Sequence, residues 1–176
     1  MKKCALVIGH KKTSQGASNN KTGLTEFVFN DALAQDIESA VSGVEIQRVY
    51  RRTYSSLPDD INELNPDFIV SLHCNAYNKK ATGTEVLYYH RSAKGKLMAK
   101  KLNEHLVDAL ELKDRGIKSK TSEDRGGFLL KNTMAPCVIA EPFFIDNNDD
   151  LAVAQKKRKK LIKAYASGIE AITNSI

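Results

Sequence analysis

The chain has no tryptophan, only four prolines and only three cysteines in 176 residues. The cysteines, Cys4, Cys74 and Cys137, are odd in number, far apart and set in apolar, strand-like runs. That pattern points to reduced, buried thiols rather than a disulfide framework or a Cys-rich metal site. No apolar run approaches the ~20 residues that a membrane-spanning helix needs. The opening MKKCALVIGHKK has a basic start, but its apolar stretch, Cys4–Ile8, is too short for the core of a signal peptide, and Lys11 follows at once. The expectation is therefore a chain without an export signal of its own. Phosphate-binding GxGxxG and GxxxxGK[ST] loops are absent, and Gly126-Gly127 does not replace them. The local zinc signatures HExxH and CxxC are absent too.

What is present is the mixture of a globular protein. Hydrophobic residues make up 41% and charged residues 27%, enough apolar material for a full core without staples. The length, with no repeat, linker or low-complexity tract, points to a single catalytic-sized domain over 1–176. The net charge is +6, with Lys and Arg clustered at 156–163 and 94–101. A basic surface favours an anionic partner, whether nucleic acid, acidic lipid or wall polymer. A solvated helix face is the foremost account of either run taken singly.

Along the chain, 3–9 reads as a strand ending in Gly9-His10, followed by a polar loop over 11–23. A helix is expected over 25–41, closed by Gly43. A strand follows at 44–50, a short helix opened by Pro58 reaches about 64, and a nearly continuous apolar strand spans 67–73. Then come a strand at 84–89, a helix over 93–111, short strands at 127–131 and 136–141, and one final helix over 148–172. Strands alternating with helices predict an α/β fold: a twisted, largely parallel central sheet with helices on both faces. In such sheets ligands gather beyond the carboxyl ends of the strands.

Two of the four histidines, His10 and His73, end apolar strands, and Glu26 opens the helix after the first loop. Glu141 ends the strand CVIAE. These four groups are expected on one rim. Zinc accepts imidazole nitrogen and carboxylate oxygen, and catalytic zinc sites use three protein ligands with a fourth position open. Each residue also has an ordinary explanation. His10 and His73 could be satisfied strand-end histidines, Glu26 suits a helix start electrostatically, and Glu141 could be a paired surface carboxylate. Spacing alone leaves these alternatives open. His90 ends a strand and could reach the rim; His105 lies inside a helix. Cys74 follows His73 directly, so the two face opposite sides and do not make a Cys–His catalytic pair.

Five segments in order, LVIGH (6–10), LTEFVFN (24–30), SLHCNA (71–76), GTEVLYY (83–89) and PCVIAEPFF (136–144), resemble the zinc-dependent N-acetylmuramoyl-L-alanine amidases of the Amidase_3 type, and especially bacteriophage endolysin catalytic domains. The resemblance covers nearly the whole chain. It implies one Zn²⁺ held by His10, Glu26 and His73, with Glu141 as the catalytic carboxylate. It also implies hydrolysis of the amide between N-acetylmuramic acid and L-alanine in peptidoglycan. The wall-binding domain usual among such enzymes is not recognisable here. Asn75 and Glu85, close to these segments, are expected at the border of the substrate groove or as ordinary turn and surface groups.

Two other readings compete. One is a zinc peptidase cutting within the stem peptide. The other is a non-enzymatic basic module binding wall polymer or nucleic acid, although aromatic residues do not interleave with the basic runs. The expected setting is an endolysin made in the host cytoplasm and acting on the cell wall. Its expected partners are peptidoglycan and anionic wall polymers, with no nucleic acid and no integral membrane association.

Overall fold

A computed structural model describes residues 1–176. Six strands and six helices follow in the order β1 (Lys2–Ile8), α1 (Glu26–Ala40), β2 (Val44–Tyr50), α2 (Leu57–Glu63), β3 (Phe68–Leu72), β4 (Thr84–Tyr89), α3 (Ala93–Leu110), β5 (Asp114–Lys120), α4 (Gly127–Asn132), β6 (Cys137–Glu141), α5 (Asn148–Lys156) and α6 (Arg158–Thr173). The strands form one sheet in the order β2-β1-β3-β6-β4-β5. β2, β1, β3 and β6 run parallel, and β4 pairs antiparallel with β6 and parallel with β5.

Alternation along β1 builds two cores. Cys4, Leu6 and Ile8 face a large cluster that holds Leu33 and Ile37 of α1, Met98 and Leu102 of α3, and Leu161 and Tyr165 of α6. Ala5 and Val7 face a smaller cluster with Leu57 and Ile61 of α2 and Leu129 and Leu130 of α4. Both faces of the central strands are therefore apolar, which is why β1 and β3 read as unbroken hydrophobic runs. All three cysteines are free and buried, as their apolar settings imply.

β1 connects through α1 to β2 on one side, and β3 lies on β1's other side. The strand order thus reverses between β1 and β3, and a crevice opens at their carboxyl ends. His10 and His73 stand at that crevice.

Three expectations need correction. Residues 127–131 are not a strand but the helix α4. Gly126 turns the chain in the left-handed region (φ 82), and Gly127, Leu129 and Leu130 then bury on one helical face while Phe128 stays exposed. An apolar run as short as Phe128–Leu130 does not distinguish the two structures. Residues 114–120 form the edge strand β5, which was not foreseen because DRGIKSK offers only Ile117 as an apolar side chain. Lys118 and Lys120 on that edge discourage pairing with another chain. The final helix is two helices broken at Lys157. The Lys157 ammonium donates to the Leu110 carbonyl (3.1 Å) and Glu111 Oε2 (2.6 Å), satisfying the C-terminal end of α3.

Candidate metal centre and active site

His10 follows β1 with its backbone in the left-handed region (φ 66), a conformation uncommon for a residue with a side chain. Its neighbours make room for the ring. A Cβ on Gly9 would lie 2.5 Å from the Leu72 carbonyl oxygen and 2.7 Å from the His73 ring. A Cβ on Gly16, itself at φ +77, would lie 2.5 Å from the His10 ring. The two imidazoles meet edge to face with centroids 5.1 Å apart.

Glu26 sits at the first position of α1, where Thr25 Oγ1 caps the helix by accepting from the Val28 amide. Its side chain is fully buried. The Ala17 amide donates to Oε1 (3.0 Å) and the Cys74 amide donates to Oε2 (3.1 Å). The same oxygens face His10 Nε2 at 3.3 Å and His73 Nδ1 at 3.4 Å. Burial pushes the Glu26 pKa up, but the adjacent His10 and His73 imidazoles outweigh it and hold the carboxyl far below the usual range. Burial likewise lowers the His73 pKa, against the attraction of Glu26. A buried, ionised carboxylate between two imidazoles is a donor set that suits a divalent cation.

Two observations test the fit to such an ion. One ligand atom from each of His10, Glu26 and His73 lies within 4.8 Å of the others. A tetrahedral zinc with bonds of about 2.0–2.1 Å has ligand-to-ligand edges of about 3.3–3.4 Å, close to both histidine–glutamate separations. His10 Nε2 is also buried without a hydrogen-bond partner, as expected of an atom whose lone pair is kept for something else. The residues present fit the ion.

Glu141 ends β6 on the same rim and is 7% exposed. With His10 and His73 it lines a cavity of about 380 Å³. Across the antiparallel pair it stands opposite Glu85. Asn75 Nδ2 donates to Glu85 Oε1 (2.9 Å), and Arg115 Nε donates to Oε2 (2.9 Å). Burial, reinforced by the charge of Glu85 and opposed by Arg125, raises the Glu141 pKa well above the ordinary carboxylate range. Glu85 is thus a buried, paired group beside Glu141 rather than a surface residue, and Asn75 orients it.

The four residues singled out by sequence come together. His90 and His105 do not join them: neither lines the cavity, and His90 instead packs its ring on Tyr89 with centroids 4.8 Å apart. Ser71, the first residue of the SLHCNA segment, lines the cavity, as do Arg51, Tyr54 and Arg125, which sequence reasoning missed. Arg51 was findable, because it directly follows β2 at the carboxyl edge where ligands gather.

Residues 4–171 match the family Amidase_3, described as N-acetylmuramoyl-L-alanine amidase. The chain is 26% identical over 168 residues to the N-acetylmuramoyl-L-alanine amidase LytC of Bacillus subtilis, an alignment covering 90% of this chain and 32% of LytC. It is 30% identical over 117 residues to the endolysin of Bacillus phage SPP1, covering 64% of this chain and 42% of that protein. The chain thus spans less than half of either curated relative. Its fold matches the catalytic domain of CwlV, an N-acetylmuramoyl-L-alanine amidase from Bacillus (Paenibacillus) polymyxa, with a TM-score of 0.86, 21% identity and full coverage of both chains. Matched from its first strand to its last helix, the chain belongs to the N-acetylmuramoyl-L-alanine amidase family.

Proposed function

We propose that the protein is a zinc-dependent amidase that hydrolyses the bond between the lactyl group of N-acetylmuramic acid and L-alanine. One observation carries the reading: three groups able to ligate zinc converge beside a buried carboxylate at the mouth of a single cavity. His10, Glu26 and His73 would hold the ion. When bound, zinc supplies the Lewis acidity that acidifies a water and polarises an amide carbonyl. Glu141 takes the proton from the attacking water, and its raised proton affinity suits that task near neutral pH. The same carboxyl then protonates the departing alanine nitrogen. Glu85, anchored by Asn75 and Arg115, keeps a negative charge beside Glu141 and sustains its basicity. Apolar walls from Leu57, Leu87 and Ile139 keep bulk water from the reacting groups.

Metal analysis tests the ligand set. Purified protein should bind one zinc, and X-ray absorption should show two imidazole nitrogens with carboxylate oxygen. Glu26→Gln and His73→Ala should each abolish stoichiometric binding. Full zinc occupancy in both variants would sink the assignment.

The setting proposed is that of an endolysin, made in the host cytoplasm and acting on the wall. Likeness to the SPP1 endolysin supports it. Intracellular expression should leave cells intact until the membrane is permeabilised, and lysis without permeabilisation would contradict this. Lys156, Arg158, Lys159, Lys160 and Lys163 form a basic run across α5 and α6 that would hold anionic wall polymers. Pelleting with purified walls should then weaken as salt rises; salt-independent pelleting would count against it.

A further inference from the structure

Behind the metal ligands, the larger core contains a polar contact that folding alone does not call for. Asn30 lies on α1 one turn after Glu26, and residues four apart share a helix face. Its side chain is fully buried. Its Nδ2 donates to Cys74 Sγ at 3.7 Å, and its Oδ1 has no partner. Sulfur is a weak acceptor, so the amide recovers little of what it loses on leaving water. The surroundings are apolar: Cys74 sits in the cluster that holds Phe29, Leu33 and Phe143. A leucine, close to asparagine in size, suits such a place better.

The position of the contact gives it another use. Cys74 directly follows His73, and its backbone amide donates to Glu26 Oε2 (3.1 Å), the oxygen that faces His73 Nδ1 at 3.4 Å. The His73 and Asn75 amides donate instead to the Ala140 (3.0 Å) and Phe143 (2.9 Å) carbonyls, which fixes this segment to β6 and its extension. Toward α1, Cys74 meets Glu26 through its amide and Asn30 through its sulfur. One residue thus grips α1 at two side chains a turn apart. Apolar packing is non-directional, whereas hydrogen bonds at two heights fix the rotation of α1 and its register against the end of β3. Glu26 rides on α1 and His73 on the end of β3, so that register sets the spacing of two metal ligands.

We propose that Asn30 is a positioning residue for the metal centre. Acting through Cys74, it holds α1 in the rotation that keeps the Glu26 carboxylate at ligating distance from an ion shared with His73. The ligands are thereby set in place before the ion arrives, at a cost in stability. The proposal rests on the ligand set His10, Glu26 and His73 given above.

The test uses Asn30→Leu, Cys74→Ala and Cys74→Ser, each measured metal-free and with zinc. Metal-free Asn30→Leu should melt at or above the wild-type temperature, since it removes a poorly satisfied buried amide. Its zinc Kd should nonetheless rise by about 10–100-fold, the range found when groups that orient metal ligands are lost. Cys74→Ala should weaken zinc binding too. The double variant should lose no more than Asn30→Leu alone, the mark of two residues acting through one contact. Cys74→Ser retains an acceptor for the amide and should keep the wild-type affinity. In cobalt-substituted protein the visible ligand-field bands should shift in Asn30→Leu and stay in place in Cys74→Ser. An unchanged zinc Kd and cobalt spectrum in Asn30→Leu would overturn the positioning role and leave the ligand set intact. A loss of affinity matched by a lower melting temperature of the metal-free variant would also overturn it, as a merely structural effect. Wild-type protein that binds no zinc would overturn the ligand set and the positioning role with it.

Discussion

Glu26 carries the most constraint of any residue in the site, since both of its oxygens are shared between a backbone amide and an imidazole. Glu141 differs in kind: it is buried, faces another carboxylate and makes no contact that fixes it as a structural ion. This contrast separates a group that holds a metal from a group that moves protons. Glu141→Gln should therefore keep full zinc occupancy yet lose turnover by about 10²–10⁴-fold. Metal analysis beside kinetics on the same preparation checks it, and a variant within a few-fold of wild-type turnover would remove Glu141 from the mechanism. The meeting of these residues on one rim was legible in the sequence because each sits at a strand end or helix start, whereas their separate roles were implied only by the family resemblance. Arg51 could be found from its place directly after β2 and Ser71 opens the SLHCNA segment, but Arg125, an arginine in a loop, has no distinguishing pattern until the fold shows that it lines the cavity.

At the scale of elements, the rim is made by the close approach of β1 and β3. Gly9 permits it: its amide donates to the Leu72 carbonyl (2.9 Å), and the His73 ring occupies the space a Cβ would need. Gly9→Ala should lower stability by about 1–3 kcal/mol and weaken zinc binding with it. Gly43 has positive φ (+71) but open space around it, so Gly43→Ala should cost about 1–2 kcal/mol and leave zinc affinity unchanged. Thermal melts and zinc titration of both variants decide the matter; unaltered zinc affinity in Gly9→Ala would contradict the packing account. Hydrophobic periodicity located β1, β2, β3, β4 and β6 and the helices α1, α2 and α3 to within a residue or two. It failed at β5, an edge strand with little to bury, and at α4, whose run is too short to show a period. It also missed the break at Lys157, which follows from tertiary bonds to the end of α3 rather than from any local Pro or Gly.

At the scale of the molecule, strand order decides where chemistry is possible. The reversal between β1 and β3 places two strand ends, one helix start and the end of β6 around one opening. The larger core lies on the opposite face and supports the sheet. No helix is long and apolar enough to cross a membrane. The central claim is that this opening is a zinc amidase site. It is tested most directly by incubating the protein with defined peptidoglycan fragments, with and without a chelator, and identifying the products by mass spectrometry. The account predicts free stem peptide with a new L-alanine amino terminus, lost on chelation and restored by zinc. Cleavage within the peptide, or release of the same product undiminished by the chelator, would contradict it.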